Sequence, residues 1–400
     1  MRVAAVNGGP INRSLLFAIA CFGIFTFGIV MAVLGAILPM LGRHLSLALG
    51  QMGELFLTMN LAMMLVMPVL GPLMDKAGMR GILMAGALGT SLALFLIGWS
   101  PSFTILLVSV FLLGTAGGCL NGAANTLVAD LYPNPAQKNS ALNLLGVFFG
   151  FGALSLPFFI GVLLNALPLS SILNLAALLT AALTIVCSLP TYPTPKKEGR
   201  IEWSKVRRMA GSPLLLLFGV LLFFESGNEF IIGGYLTTYL NSYMGIPLSR
   251  ASYLLAAYWG TIMVARFLLS RLLLVIPGQT LILLSAPAVV ISMAILLMAG
   301  SPTLVNIGII GLGLSVAGIF PTALGMAGSR FSDSSGTAFG ILFTIALAGG
   351  MSLPWFVGQI SASHGLPLGF SLVITNALGI FLVQVVVSRS LRLRRRASMG

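Results

Sequence analysis

The sequence predicts an all-α membrane protein of twelve transmembrane helices, arranged as two pseudo-symmetric six-helix bundles. Three observations lead there. Of the 400 residues, 58% are hydrophobic and only 7% charged, with a mean hydropathy of +1.06, whereas roughly a quarter of a soluble domain is charged. Apolar runs of the length a bilayer requires, about 20 residues each, follow one another along the whole chain with short connections. A string in the fifth run returns in the eleventh, half a chain later. Such a composition excludes a disordered protein and a large soluble catalytic domain. The net charge of +13 does not point to nucleic acid, because Lys and Arg lie between apolar runs rather than on a soluble face.

Runs bounded by Gly, Pro and charge place spans near 14–40, 50–74, 81–99, 103–131, 138–164 and 168–189, then near 213–242, 248–274, 279–300, 303–328, 336–362 and 367–389. The first exceeds a signal-peptide core and no small-residue cleavage pattern follows it, so it is read as a retained span. Pro190 to Ser212 is polar, with Lys196, Lys197, Arg200, Lys205, Arg207 and Arg208. It reads as a cytoplasmic linker (190–212) between an N-terminal bundle (1–189) and a C-terminal bundle (213–400) that ends in a basic tail. Lys and Arg are retained on the cytoplasmic side of a membrane. Arg2, Arg13, Lys76, Arg80, Lys138, the linker cluster, Arg271, Arg330 and the tail all fall on one side of a twelve-span chain, with Arg43 and Arg250 on the other. Both termini are therefore expected in the cytoplasm of a bacterial cell whose inner membrane holds the protein. The tail arginines suit anionic lipid headgroups, and a monomer is expected. Cys21, Cys119 and Cys187 lie inside apolar runs, where a thiol behaves as a small hydrophobe, and no disulfide is expected.

Ser140 to Gly161 reads SALNLLGVFFGFGALSLPFFIG and Thr337 to Gly358 reads TAFGILFTIALAGGMSLPWFVG. A shift of 197 positions superposes Ser155, Leu156, Pro157, Phe159 and Gly161 on Ser352, Leu353, Pro354, Phe356 and Gly358. Span five thus matches span eleven, as a parallel duplication of six spans requires.

Between spans two and three stands Gly71-Pro72-Leu73-Met74-Asp75-Lys76-Ala77-Gly78-Met79-Arg80-Gly81. Gly71 permits close helix approach, Gly78 a tight turn, and Asp75 and Arg80 can pair at the surface. The string resembles the G-x-x-x-D-x-x-G-x-R signature of the major facilitator superfamily, and the spans and half-chain repeat extend that likeness over the whole chain. The resemblance implies the major facilitator fold and a cytoplasmic gate at Gly71, Asp75, Gly78 and Arg80 that latches the halves, the carboxylate favouring a neighbouring helix N-terminus. The matching place in the second half, Ala265 to Arg271, lacks an acid.

Gly118-Cys119-Leu120-Asn121-Gly122-Ala123-Ala124-Asn125 in span four is similar to the G-C-L-E-T-A-A-N of the fucose permease subfamily. Leu142-Asn143-Leu144, Phe151-Gly152-Ala153, Gly227-Asn228-Glu229 with Gly234 to Leu240, and Phe320-Pro321-Thr322 continue the likeness. The departures are equally informative. Gly35 and Asn121 stand where the fucose symporter has acids, and Gly146 and Phe149 replace polar sugar-binding positions. Neither fucose nor the inherited proton carriers follow from the resemblance.

Of the remaining acids only Glu225 and Glu229 fall deep in a span. Counted from Pro213 they lie roughly 18 and 24 Å inward at the helical rise, four residues apart on one face. A carboxylate at that depth must face a hydrated cavity or be neutralised by a proton or a partner. Two on one face titrate in separate steps, which suits proton coupling. The family likeness adds a substrate contact at Glu229. Arg266, about 18 residues into span eight, pairs with a buried acid such as Asp130, holds an anionic group, or snorkels to the headgroups. Asn121, Asn125, Asn143, Asn228, Tyr235, Tyr258, Trp259 and Trp355 offer the hydrogen bonds and aromatic faces that hold sugars and similar solutes, although Asn within spans also joins helix to helix.

No nucleophile, metal cluster or base occurs in the membrane, and neither a Walker loop nor an HExxH string is present. Neither enzyme activity nor a cofactor nor a metal is expected. The sequence reads as a secondary active transporter of a small polar solute, a sugar or sugar-like compound, working by alternating access and coupled to protons through Glu225 and Glu229, with sodium as another coupling ion to test. The alternative is a proton-driven exporter of amphipathic compounds, favoured by Gly146 and Phe149.

Overall fold

The computed structural model describes residues 12–132, 134–193, 203–273, 275–331 and 335–397, apart from some helical side chains. The described helices of the first half of the chain are α1 (Arg13–His44), α2 (Leu49–Ala77), α3 (Met79–Gly98), α4 (Phe103–Leu131), α5 (Pro135–Leu163) and α6 (Leu169–Ser188). There follow α7 (Trp203–Ala210), α8 (Pro213–Thr238), α9 (Leu248–Leu272), α10 (Gly278–Leu297), α11 (Pro302–Val316), α12 (Ile319–Arg330), α13 (Ser335–His364), α14 (Leu366–Phe370) and α15 (Leu372–Ala397). Among the described residues twelve segments have the length and hydropathy to cross a membrane, so the all-α twelve-span class read from the sequence is the one observed.

Local chemistry sets many of the ends. Asn12, Ser102 and Ser301 accept from the backbone amides of Leu15, Ile105 and Leu304, capping α1, α4 and α11. Pro213 and Pro302 open α8 and α11, where a missing amide costs nothing. Gly78 (φ 78°) makes the sharp turn between α2 and α3. Three features differ from the sequence expectation. The linker contains the short helix α7, span seven runs on through a π turn at Tyr239–Tyr243, and span ten is broken between α11 and α12. Gly318 lies in that last break and Pro321 just beyond it, and Pro321 has no amide to continue the ladder.

The chain forms two compact units. One comprises Met1–Leu47, Thr58–Arg200 and Leu240–Ala256; the other comprises Ala48–Leu57, Ile201–Tyr239 and Ala257–Gly400. In the first unit α1 packs on α5 and α4, and α3 on α4 and α6. Its core gathers Leu16, Ile19, Leu83, Leu120, Leu127 and Cys187. Arg43 Nη2 donates to Asn241 Oδ1 at 2.6 Å, and Phe158 meets Tyr253 edge to face at 5.9 Å. In the second unit α8 packs on α13 and α15, and α10 on α11 and α15.

The internal repeat has a packing counterpart. The shift of 197 also superposes Gly152 on Gly349. A Cβ on Gly152 would overlap the Phe25 carbonyl of α1, and one on Gly349 would overlap the Phe223 carbonyl of α8. Each unit thus presses a glycine of one helix against the backbone of another, the close approach that small residues allow in membranes. Ser155 and Ser352, also superposed, both donate to the carbonyl four residues back.

Candidate functional site

Helix α8 is apolar along most of its length, and Glu225, Ser226 and Asn228 are buried within it. Glu225 is 1% exposed and its Oε2 has no hydrogen-bond partner. Glu229 follows one turn later, with its side chain 17% exposed, and its Oε1 lies 3.3 Å from Arg266 Nη2. Arg266 comes from α9 and is 30% exposed. Its Nε also donates to the Ala317 carbonyl at the span-ten break, at 3.2 Å. Tyr258, eight residues earlier on α9, is fully buried with an unpartnered hydroxyl. It lies within electrostatic reach of Glu225, Glu229 and Arg266, and the Trp259 ring meets it edge to face at 5.4 Å.

These groups bring two carboxylates, a guanidinium and a phenol together in the second unit. No Asp, Glu, Lys, Arg, His, Tyr or Cys occurs from Gly278 to Ser329, from Thr337 to Ser363, or from Leu366 to Ser388. Two carboxylates against one guanidinium leave a single negative charge, which one proton removes. An unpaired charge is costly at such depth.

The other residues named from the sequence are distributed as follows. Arg266 pairs with Glu229, which corrects the expectation of Asp130; Asp130 is half-buried near the end of α4 in the first unit. Both of these Arg266 contacts, to Glu229 and to the Ala317 carbonyl, lie between helices. Asn228 is fully buried and accepts from Asn376 Nδ2 of α15 at 3.0 Å, leaving its own amide nitrogen unpartnered. Tyr235 donates to the Pro354 carbonyl at 3.1 Å, with Phe56 packed 5.5 Å from its ring. Trp355 packs on Phe356 at 5.0 Å. In the first unit Asn125 Nδ2 donates to both the carbonyl and the Oδ1 of Asn121, each at 2.9 Å. Asn143 lies in α5 with its side chain outside the described residues.

Of the gate string, Gly71 and Asp75 are described only as backbone of α2, so the expected Asp75–Arg80 pair lies outside the described residues. Arg80 Nη2 donates to the Ser188 carbonyl at 2.6 Å, and Tyr192 donates to the Cys187 carbonyl at 3.0 Å. Together they answer carbonyls that the end of α6 leaves without helical donors. Burial pushes the Tyr192 phenol well above its ordinary range, so it remains a donor.

Sequence reasoning missed Asn376 and the Ala317 carbonyl. The second was signalled by Gly318 and Pro321 inside one span, a pairing that reads as a break. Among the described residues no group of His, Cys, Asp and Glu has the makings of a metal site.

Comparison with known proteins agrees with this architecture. A family model described as Major Facilitator Superfamily matches residues 20–354. A protein named TsgA homolog from Buchnera aphidicola is 22% identical over 95% of this chain and 98% of its own. A glucose/galactose transporter from Brucella abortus is 25% identical over 67% of this chain and 68% of its own. The crystal structure of a D-xylose-proton symporter superposes with a TM-score of 0.80 at 11% identity, covering 94% of this chain and 97% of that one. The chain, a twelve-span membrane transporter and not an enzyme, belongs to the Major Facilitator Superfamily.

Proposed function

We propose that the protein moves a sugar or related neutral polar solute across the bacterial inner membrane by alternating access, coupled to protons through Glu225 and Glu229. The two six-helix halves, 1–189 and 213–400, provide the moving parts, the termini are cytoplasmic, and Gly71, Asp75, Gly78 and Arg80 act as the cytoplasmic gate. The observation that carries this reading is the buried Glu225, with an unpartnered oxygen, one turn from the Glu229–Arg266 pair. The guanidinium is already answered by a carboxylate, so the cluster offers no surplus positive charge to an anion. Relatives named for glucose and galactose, and a fold neighbour named for xylose and protons, support the solute class.

Reconstitution into liposomes tests it, with radiolabelled D-glucose, D-galactose and D-xylose and an imposed pH gradient, sodium being replaced by choline. Gradient-dependent uptake of one sugar, lost in Glu229→Gln, is expected. Uptake that follows sodium and ignores pH overturns the proton assignment. Proton-driven extrusion of a lipophilic dye with no sugar movement overturns the solute class and favours the exporter.

A further inference from the structure

Arg266 does more than answer Glu229. Ala317 is fully buried, and in a continuous helix its carbonyl would accept from the amide of residue 321. That residue is Pro321, which has no N–H. Buried carbonyls require a donor, and Arg266 Nε supplies one at 3.2 Å while Nη2 holds Glu229 at 3.3 Å. One guanidinium therefore joins the carboxylate of span seven to the break in span ten, between Val316 and Ile319.

We propose that Arg266 is a positioning residue that links the protonation of Glu229 to the order of span ten around Ala317 and Gly318. Within electrostatic reach of Glu229 are Glu225 on its own helix, and Tyr258 and Arg266 on α9; residues 278–329, 337–363 and 366–388 carry no ionisable side chain. With Glu229 ionised, the charge pair fixes the guanidinium plane and so aims Nε at Ala317. A proton on Glu229 removes the charge that fixes it, Nε loses its aim, and the Ala317 carbonyl is left without that donor. The break then loosens. In a transport cycle this would carry proton occupancy to span ten; only that use rests on the function proposed above.

Hydrogen–deuterium exchange of the full chain in detergent, without any substrate, reads the link directly. In peptides covering residues 313–325, Glu229→Gln is expected to raise exchange roughly tenfold, as for loss of a hydrogen bond to a charged group. Arg266→Lys keeps the positive charge but has no Nε donor, and the same rise is expected. Adding Pro321→Ala to Arg266→Lys restores an amide to Ala317 and should return exchange to the wild-type rate. Pro321 is exposed, so its replacement removes no buried packing. Peptides from span nine should be unchanged throughout, which separates a local effect from general unfolding. Unchanged exchange in Glu229→Gln, or failure of Pro321→Ala to rescue Arg266→Lys, overturns the proposal. Failure of sugar uptake does neither, because exchange is measured with no solute present.

Discussion

Asn228 and Glu229 are adjacent in the chain and take different partners, because one residue of α-helix turns the side chain by about 100°. Asn228 meets Asn376 on α15, whereas Glu229 meets Arg266 on α9. The amide pair is a helix-to-helix bond in a place sealed from water, and its worth shows through what remains when half is removed. Asn228→Ala leaves the Asn376 amide buried without its acceptor and is expected to cost about 1–3 kcal/mol, while the double change to Leu at both positions should be nearly neutral. Thermal unfolding of the detergent-purified variants checks both outcomes. A loss in the double variant as large as in the single one would show that the amides do more than satisfy each other. The sequence singled out Asn228 through a family likeness, but its commitment to Asn376 depends on which helix lies beside it, and hydropathy carries no such information. Arg266 taught the same lesson. Its depth was legible from residue counting, and its true partner, 37 positions away in the chain, was not.

At the scale of elements, the spans were legible because each must be apolar for about 20 residues and polar or broken at its ends. What escaped were interruptions inside spans, at Gly318 and Pro321, where short polar signals are lost in a long apolar run. The gate string shows how an element end is held. Arg80 and Tyr192 donate to carbonyls at the end of α6. Arg80→Ala should therefore lower stability by about 1 kcal/mol through lost capping, seen as a lower melting point and faster amide exchange in peptides from α6. The close glycine contacts carry a larger penalty. Gly152→Leu and Gly349→Leu each place a side chain where a neighbouring backbone already lies, and overpacking of this kind costs about 1–3 kcal/mol or more. Since the repeat relates the two sites, both variants should give reduced monodisperse yield on size exclusion. Normal behaviour of either would mean that the equivalence does not extend to packing.

For the whole molecule, the charge count of the site constrains the energetics of transport. Two carboxylates and one guanidinium are balanced by a single proton, so the cluster suits a stoichiometry of one proton per neutral solute. One pH unit is worth 1.36 kcal/mol per proton. At zero membrane potential a gradient of one unit, acid outside, should thus drive about tenfold accumulation of a sugar probe, and two protons per solute would give about a hundredfold. Accumulation should rise as the outer pH falls and reverse when the gradient is inverted. Glu225→Gln places a permanently neutral group at one of the two carboxylates proposed to carry the proton. It should abolish the accumulation ratio while leaving solute exchange between the two sides of the membrane, which needs no net proton movement. Measured together in proteoliposomes clamped with potassium and valinomycin, exchange without accumulation assigns the coupling to Glu225. Accumulation that survives the substitution places the coupling proton on another group.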